Sequence, residues 1–178
     1  MVAVTPTDSL SLRNYNLREA IAGSAWFQSW TGSADAAAAR ARVALGERTP
    51  ATAPTIPYAH IQQTVSAEGE RVAISTAVTR STHRIEMVGQ VDAANGDSEQ
   101  DAALDAMNQV GAFRAMLDAL SGGTAVGSAL VTFSPPAQEA VGEGGQVWAF
   151  FSLAEQTAGA KRYTNFFAVF QVRMGAEF

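Results

Sequence analysis

The chain has 178 residues, 47% of them hydrophobic, and a formal net charge of −5, which is enough for one domain with its own core. There is no cysteine, which removes disulfides, thiolate catalysis and cysteine metal sites together. No basic patch stands out, so sequence-specific nucleic-acid binding is not expected, and only 16% of residues are charged against about 25% in an average protein, which favours contacts with partners.

Residues 1–15 are polar, carry Pro6 and lack periodicity; they are expected to form an extended arm ordered by a neighbour, preceding a single domain over residues 16–178. Asn16 with Glu19 three residues on reads as a helix start. Leu17, Ala20, Ile21, Ser24 and Phe27 fall on one stripe, Trp26 and Trp30 on another, and Thr31-Gly32 ends the helix. Ser33 opens a short alanine-rich helix over 35–40, which leads to a strand holding Val43 and Leu45. Three prolines make 46–57 a connection. A strand over 58–65 follows, broken at 67–69. Residues 71–82 alternate as one strand and 82–93 as another, with Ile85, Met87 and Val91 on the dry face and Arg84, Glu86 and Gln90 on the wet one.

Asn95-Gly96-Asp97 is a turn, and Ser98 with Asp101 caps the next helix, Glu99 favouring its dipole. Ala103, Ala106, Met107, Val110, Phe113, Leu117 and Leu120 step at three and four, giving the best-defined amphipathic helix in the chain. A strand over 126–133, a glycine-rich turn over 142–145, and two antiparallel strands over 146–153 and 162–174 complete the chain. In the last of these Phe166, Ala168, Phe170 and Val172 share one face, Phe167 and Val169 the other. A strand apolar on both faces calls for two covers. The chain's own helices can supply one and a second subunit the other, so Phe167 and Val169 are candidate interface residues. Trp26 and Trp30 read either as core packing or as part of that interface. The expected class is α+β, a mostly antiparallel sheet packed by two main helices.

Residues 17–32, the alanine-rich segment over 36–43 running into a strand, and the closing 165–175, Asn-Phe-Phe-Ala-Val-Phe-Gln-Val-Arg-Met-Gly, together resemble the tail-terminator and tail-completion (neck) proteins of tailed bacteriophages. The match covers about a third of the chain and contains no catalytic motif. It implies a ring-forming subunit, usually hexameric, that ends the tail tube, contacts tube and connector or adaptor proteins, and lets genomic DNA pass. Its implied location is the virion neck, after assembly in the host cytoplasm. A head-completion protein on the connector side and an α+β domain enclosing a small ligand are the alternatives. If DNA passes through a ring, its lining should be hydrophilic without anchoring cations, and Glu86, Gln90 and Asp92 are candidates, each with solvated surface as its plain alternative.

The residues point to no chemistry. His60 and His83 lack a third ligand at metal-site spacing, and Gly142-Glu143-Gly144-Gly145 lacks the Lys-Ser/Thr of a phosphate loop. No serine sits in a nucleophile elbow. No enzyme, cofactor or metal is expected. No basic-then-apolar leader and no apolar run long enough to span a bilayer is seen, so no membrane partner is expected.

Overall fold

A computed structural model describes residues 9–46, 54–62, 67–73, 76–120, 124–126, 129–134, 148–157 and 160–177, with side chains over 14–46, 54–62, 83–120 and 162–170. The class is α+β. Four helices, α1 (Ser9–Gly23), α2 (Ala25–Thr31), α3 (Ala36–Arg40) and α4 (Glu99–Leu120), accompany eight strands. These are β1 (Val43–Leu45), β2 (Tyr58–Gln62), β3 (Ala67–Ala73), β4 (Thr76–Gln90), β5 (Thr124–Val126), β6 (Ala129–Ser134), β7 (Trp148–Thr157) and β8 (Ala160–Glu177). They form one sheet in the order β1-β2-β4-β8-β6-β5, with β3 on β4 and β7 on β8. β1 and β2 are parallel; every other described pair is antiparallel.

The pairing register sorts the side chains. Directly opposite residues share a face, so Val43, Ala59, Met87 and Ala168 form one row across the sheet and Leu45, Ile61, Ile85 and Phe170 the next. All are buried except Leu45, which packs against the core. Leu17 and Ile21 of α1, Phe27 of α2, and Ala102, Ala106, Val110, Phe113, Met116 and Leu117 of α4 complete that cluster. Gly89 stands opposite Phe166, and a Cβ there would lie 2.2 Å from Phe166 Cζ. The ring fills the space that glycine leaves, and it cannot move without disturbing a close-packed core. Gly89→Ala is expected to destabilise by about 1–3 kcal/mol through overpacking. Chemical denaturation measures it, and a neutral result would show that Phe166 has room to turn aside.

Several expectations are corrected. Helix α1 starts at Ser9, not at Asn16, so residues 9–15 of the expected arm are helical, and residues 1–8 lie outside the described residues. Asn14 and Asn16 are buried, so α1 meets the core by residue 14. The first helix is also two helices. Ser24 takes extended angles (φ −69°, ψ 127°), and its hydroxyl accepts the Phe27 N–H as the cap of α2; a serine oxygen near its own backbone offers that alternative to continuing the helix. Gly32 closes α2 with φ 65°, and Asp35, not Ser33, caps α3.

The break expected at 67–69 is a strand, because β3 pairs along β4 from Ala67 onward. The single strand expected over 71–82 is instead the meeting of β3 and β4, with Ala73 opposite Thr76. The strand expected over 126–133 is divided between β5 and β6, which pair with each other. Of the expected α4 stripe, Met107 is exposed, at 57%. Ala102 and Met116 are buried in its place, which rotates the packed face toward 102, 106, 113 and 117. The glycine-rich turn over 142–145 lies outside the described residues, as does most of the 46–57 connection.

Asn16 is fully buried, and among the described residues neither atom of its carboxamide has a hydrogen-bond partner. Leaving such a group unpaired costs on the order of 1–3 kcal/mol. On the same helix Asn14 Oδ1 lies 2.9 Å from His83 Nδ1 of β4, both buried, so α1 seats a polar seam on the inner face.

Candidate functional site: the outer sheet face and the α2–α4 edge

The sheet has a second face. Ala44, His60, Glu86 and Val169 form one row on it, and Tyr58, Val88 and Phe167 the next. Phe167 and Val169 are half-buried there, while their neighbours Phe166, Ala168 and Phe170 are fully buried beneath the helices. Trp148 and Phe150 of β7 occupy the register positions opposite Val169 and Phe167. The alternation expected of β8 is therefore present, and the two candidate interface residues lie together on the face away from the helices.

Beside them is a polar cluster. Glu86 pairs with Arg84 at 3.2 Å and accepts from Gln62 Nε2 at 3.1 Å. Its other oxygen lies 3.5 Å from His60 Nδ1, and His60 Nε2 meets the Gly46 carbonyl oxygen. β2 and β4 are thus tied by side chains as well as by backbone. The two histidines do not meet: His60 is on the outer face and His83 on the inner one, facing Asn14. Among the described residues no three His, Asp or Glu side chains converge on one point.

Trp26 and Trp30 are half-buried and pack in the aromatic cluster of this subunit. Their rings stack at 5.5 Å and 14°, and each meets Phe113 edge-on, at 5.9 and 6.2 Å. Trp30 Nε1 donates to Gln109 Oε1 at 2.8 Å. Gln109 Nε2 in turn donates to the Gln90 carbonyl at 3.0 Å and to Asp105 Oδ2 at 3.3 Å. The same Asp105 oxygen accepts the Asp92 backbone N–H at 2.7 Å. One network therefore joins a residue read as interface, Trp30, to two read as channel lining, Gln90 and Asp92.

The three channel candidates are not one surface. Glu86 is largely covered and fully engaged, whereas Gln90 and Asp92 are exposed at the sheet's end, and Glu86 and Gln90 stand about 13 Å apart along a strand at its usual rise per residue. Asp92 Oδ1 accepts the Ala94 N–H, which shapes the turn into α4. Tyr163 N donates to Gly96 O and seats that turn on β8. Burial, then a hydrogen bond to the Glu99 carboxylate, push the Tyr163 hydroxyl above its ordinary pKa.

The sequence reading missed Gln109 and Asp105. Their only local signal is that two polar residues four apart flank the apolar stripe of α4, a pattern shared with any solvated helix edge. Leu104, exposed at 54%, and Met107 stand out on the same helix, three residues apart. Among the described residues no helix is long and apolar enough to cross a membrane. No protein-family model matches the chain, and no curated protein aligns with it.

Proposed function

We propose that this chain is a non-enzymatic structural subunit of a phage neck: several copies close a ring, a hexamer in the form the resemblance implies, that ends the tail tube and joins it to the connector while the genome passes. The observation that carries the reading is the two-sided character of β8. Phe166, Ala168 and Phe170 are buried under the chain's own helices, and Phe167 and Val169 stay half-exposed on the other face beside Val88. A large apolar group held at a surface is favoured where a neighbour will cover it. Gln90 and Asp92 remain the candidates for a hydrophilic passage; Glu86, with its partners already in place, does not.

The test is to locate the subunit in the assembled particle by electron microscopy. The expected image is a closed ring between tube and connector. Density on the connector's head side would make it a head-completion protein, and a site away from the neck would overturn the reading. The ring belongs to the virion and assembles in the host cytoplasm under the same proposal.

A further inference from the structure

Apart from the Arg84–Glu86 and Arg114–Asp118 pairs, two groups of described charges stand out as poles. The β4–α4 junction gathers Asp92, Asp97, Glu99, Asp101 and Asp105, with Arg162 paired to Asp97 at 3.6 Å. Leu104 and Met107 continue from Asp101 along one strip of the helix, because residues three apart are neighbours there. The other pole lies beside β1. Arg18, Arg40 and Arg42 gather around α1, α3 and the start of β1 with two carboxylates, Glu19 paired to both Arg40 and Arg18 and Asp35 accepting the Ala38 N–H, which leaves this described cluster one positive charge in excess. Among the described residues Arg42 makes only a backbone contact, to the Thr55 carbonyl at 2.6 Å. Ala37, Ala38 and Ala41 are exposed between these arginines, giving a shallow apolar surface with a basic rim. The sheet order β1-β2-β4-β8 separates the two poles sideways, for α1 packs on β1 whereas α4 packs on β4, β8 and β7.

We propose that a second copy of this chain docks head-to-tail across these poles, the Leu104/Met107 strip of α4 and its acidic rim in one protomer lying on the exposed alanines and arginine rim of α3 in the next. The proposal rests on the assembly reading above and names the lateral contact that would close the ring. Two different, complementary surfaces on one chain make a heterologous contact, which closes into a ring when the rotation permits. The charges orient the encounter and reject the reversed pairing, and the exposed Leu and Met supply apolar area outside the described core cluster.

Two variants test it. Asp97→Lys with Glu99→Lys and Asp101→Lys turns the acidic pole net basic, so that both poles are basic; Ala37→Glu with Arg42→Glu makes both acidic. All five positions are solvent-facing or partly so, and unchanged melting shows that each variant folds. Association is read by size-exclusion with light scattering at low and high salt. Wild type should weaken as salt rises, and each variant alone should associate about tenfold more weakly or worse. The two variants mixed should recover assembly, because every contact in an alternating ring is again acidic against basic. Variants that assemble as wild type does would place the lateral contact elsewhere while leaving the ring reading standing. A wild-type chain that stays monomeric at every concentration and does not join neck particles would overturn both. Failure of the mixture to recover, with both variants folded, would show that the acidic pole meets a different, basic protein.

Discussion

Phe113→Ala is expected to lower stability by about 3–5 kcal/mol, the range for truncating a large buried aromatic. The ring is fully buried at the point where three elements meet. It lies 4.9 Å from Phe170 of β8, 6.4 Å from Phe27, and within edge-on range of Trp26 and Trp30 of α2. Neither tryptophan contacts the sheet through any other ring among the described residues, so Phe113 transmits the seating of α2 to β8. Removing it leaves a cavity among close-packed side chains, and edge-to-face contacts of about 0.5–1.5 kcal/mol each are among what is lost. For a domain of this length the melting temperature should fall by roughly 6–20 °C. Trp26 and Trp30 should also report the change, their fluorescence shifting red as water reaches the stacked pair. A near-native melt would show that α2 is seated by Gln109 and the backbone, with the aromatic cluster merely adjacent.

How much of this was legible in the sequence depends on which interactions are local. The period of α4 picked out Ala106, Val110, Phe113 and Leu117 correctly, and the period of β8 put Phe166 and Phe170 on one side and Phe167 and Val169 on the other, because burial on one face imposes its own spacing. The same logic failed where a pattern runs through a break without changing phase. Leu17, Ile21, Ser24 and Phe27 keep helical spacing across the junction of α1 and α2, so nothing but the Gly23-Ser24 pair marks it. Alternation likewise continues through both arms of the β3–β4 hairpin, and Ile74-Ser75 is not a turn signal of the Gly or Asn kind. Gly69 was read as a breaker, yet its pairing with Thr79 holds it in a strand, a tertiary contact overriding propensity. Met107 was misplaced by one step of the helix, enough to turn a side chain from core to solvent. The network of Trp30, Gln109, Asp105 and Asp92 joins residues as far as 79 positions apart, and no local spacing announces such a meeting.

Phe167→Lys with Val169→Lys is expected to leave the isolated subunit folded and to abolish its incorporation into the assembly. Both positions are half-buried on the outer face, so the loss of apolar contact within the subunit is partial, and strand propensity differences amount to about 1 kcal/mol or less. Lysine is chosen because Glu86 stands opposite Val169 in the β4–β8 register, where an opposite charge across the strands is favourable by a few tenths of a kcal/mol or more. An aspartate there would add repulsion from Glu86 and confuse folding with assembly. In an interface the consequence differs in kind: two ammonium groups buried against a neighbour's apolar surface cost several kcal/mol unless they are paired, enough to shift association by orders of magnitude. The readouts are a thermal melt of the purified subunit and its recovery in neck particles. Loss of both together would mean that the outer face is covered from within the subunit. Normal particles carrying the variant would show that this face looks to solvent in the assembly. The remaining result, a normal melt with no incorporation, would also be insensitive to salt, which separates the apolar contact of the sheet face from the charged poles at α3 and α4.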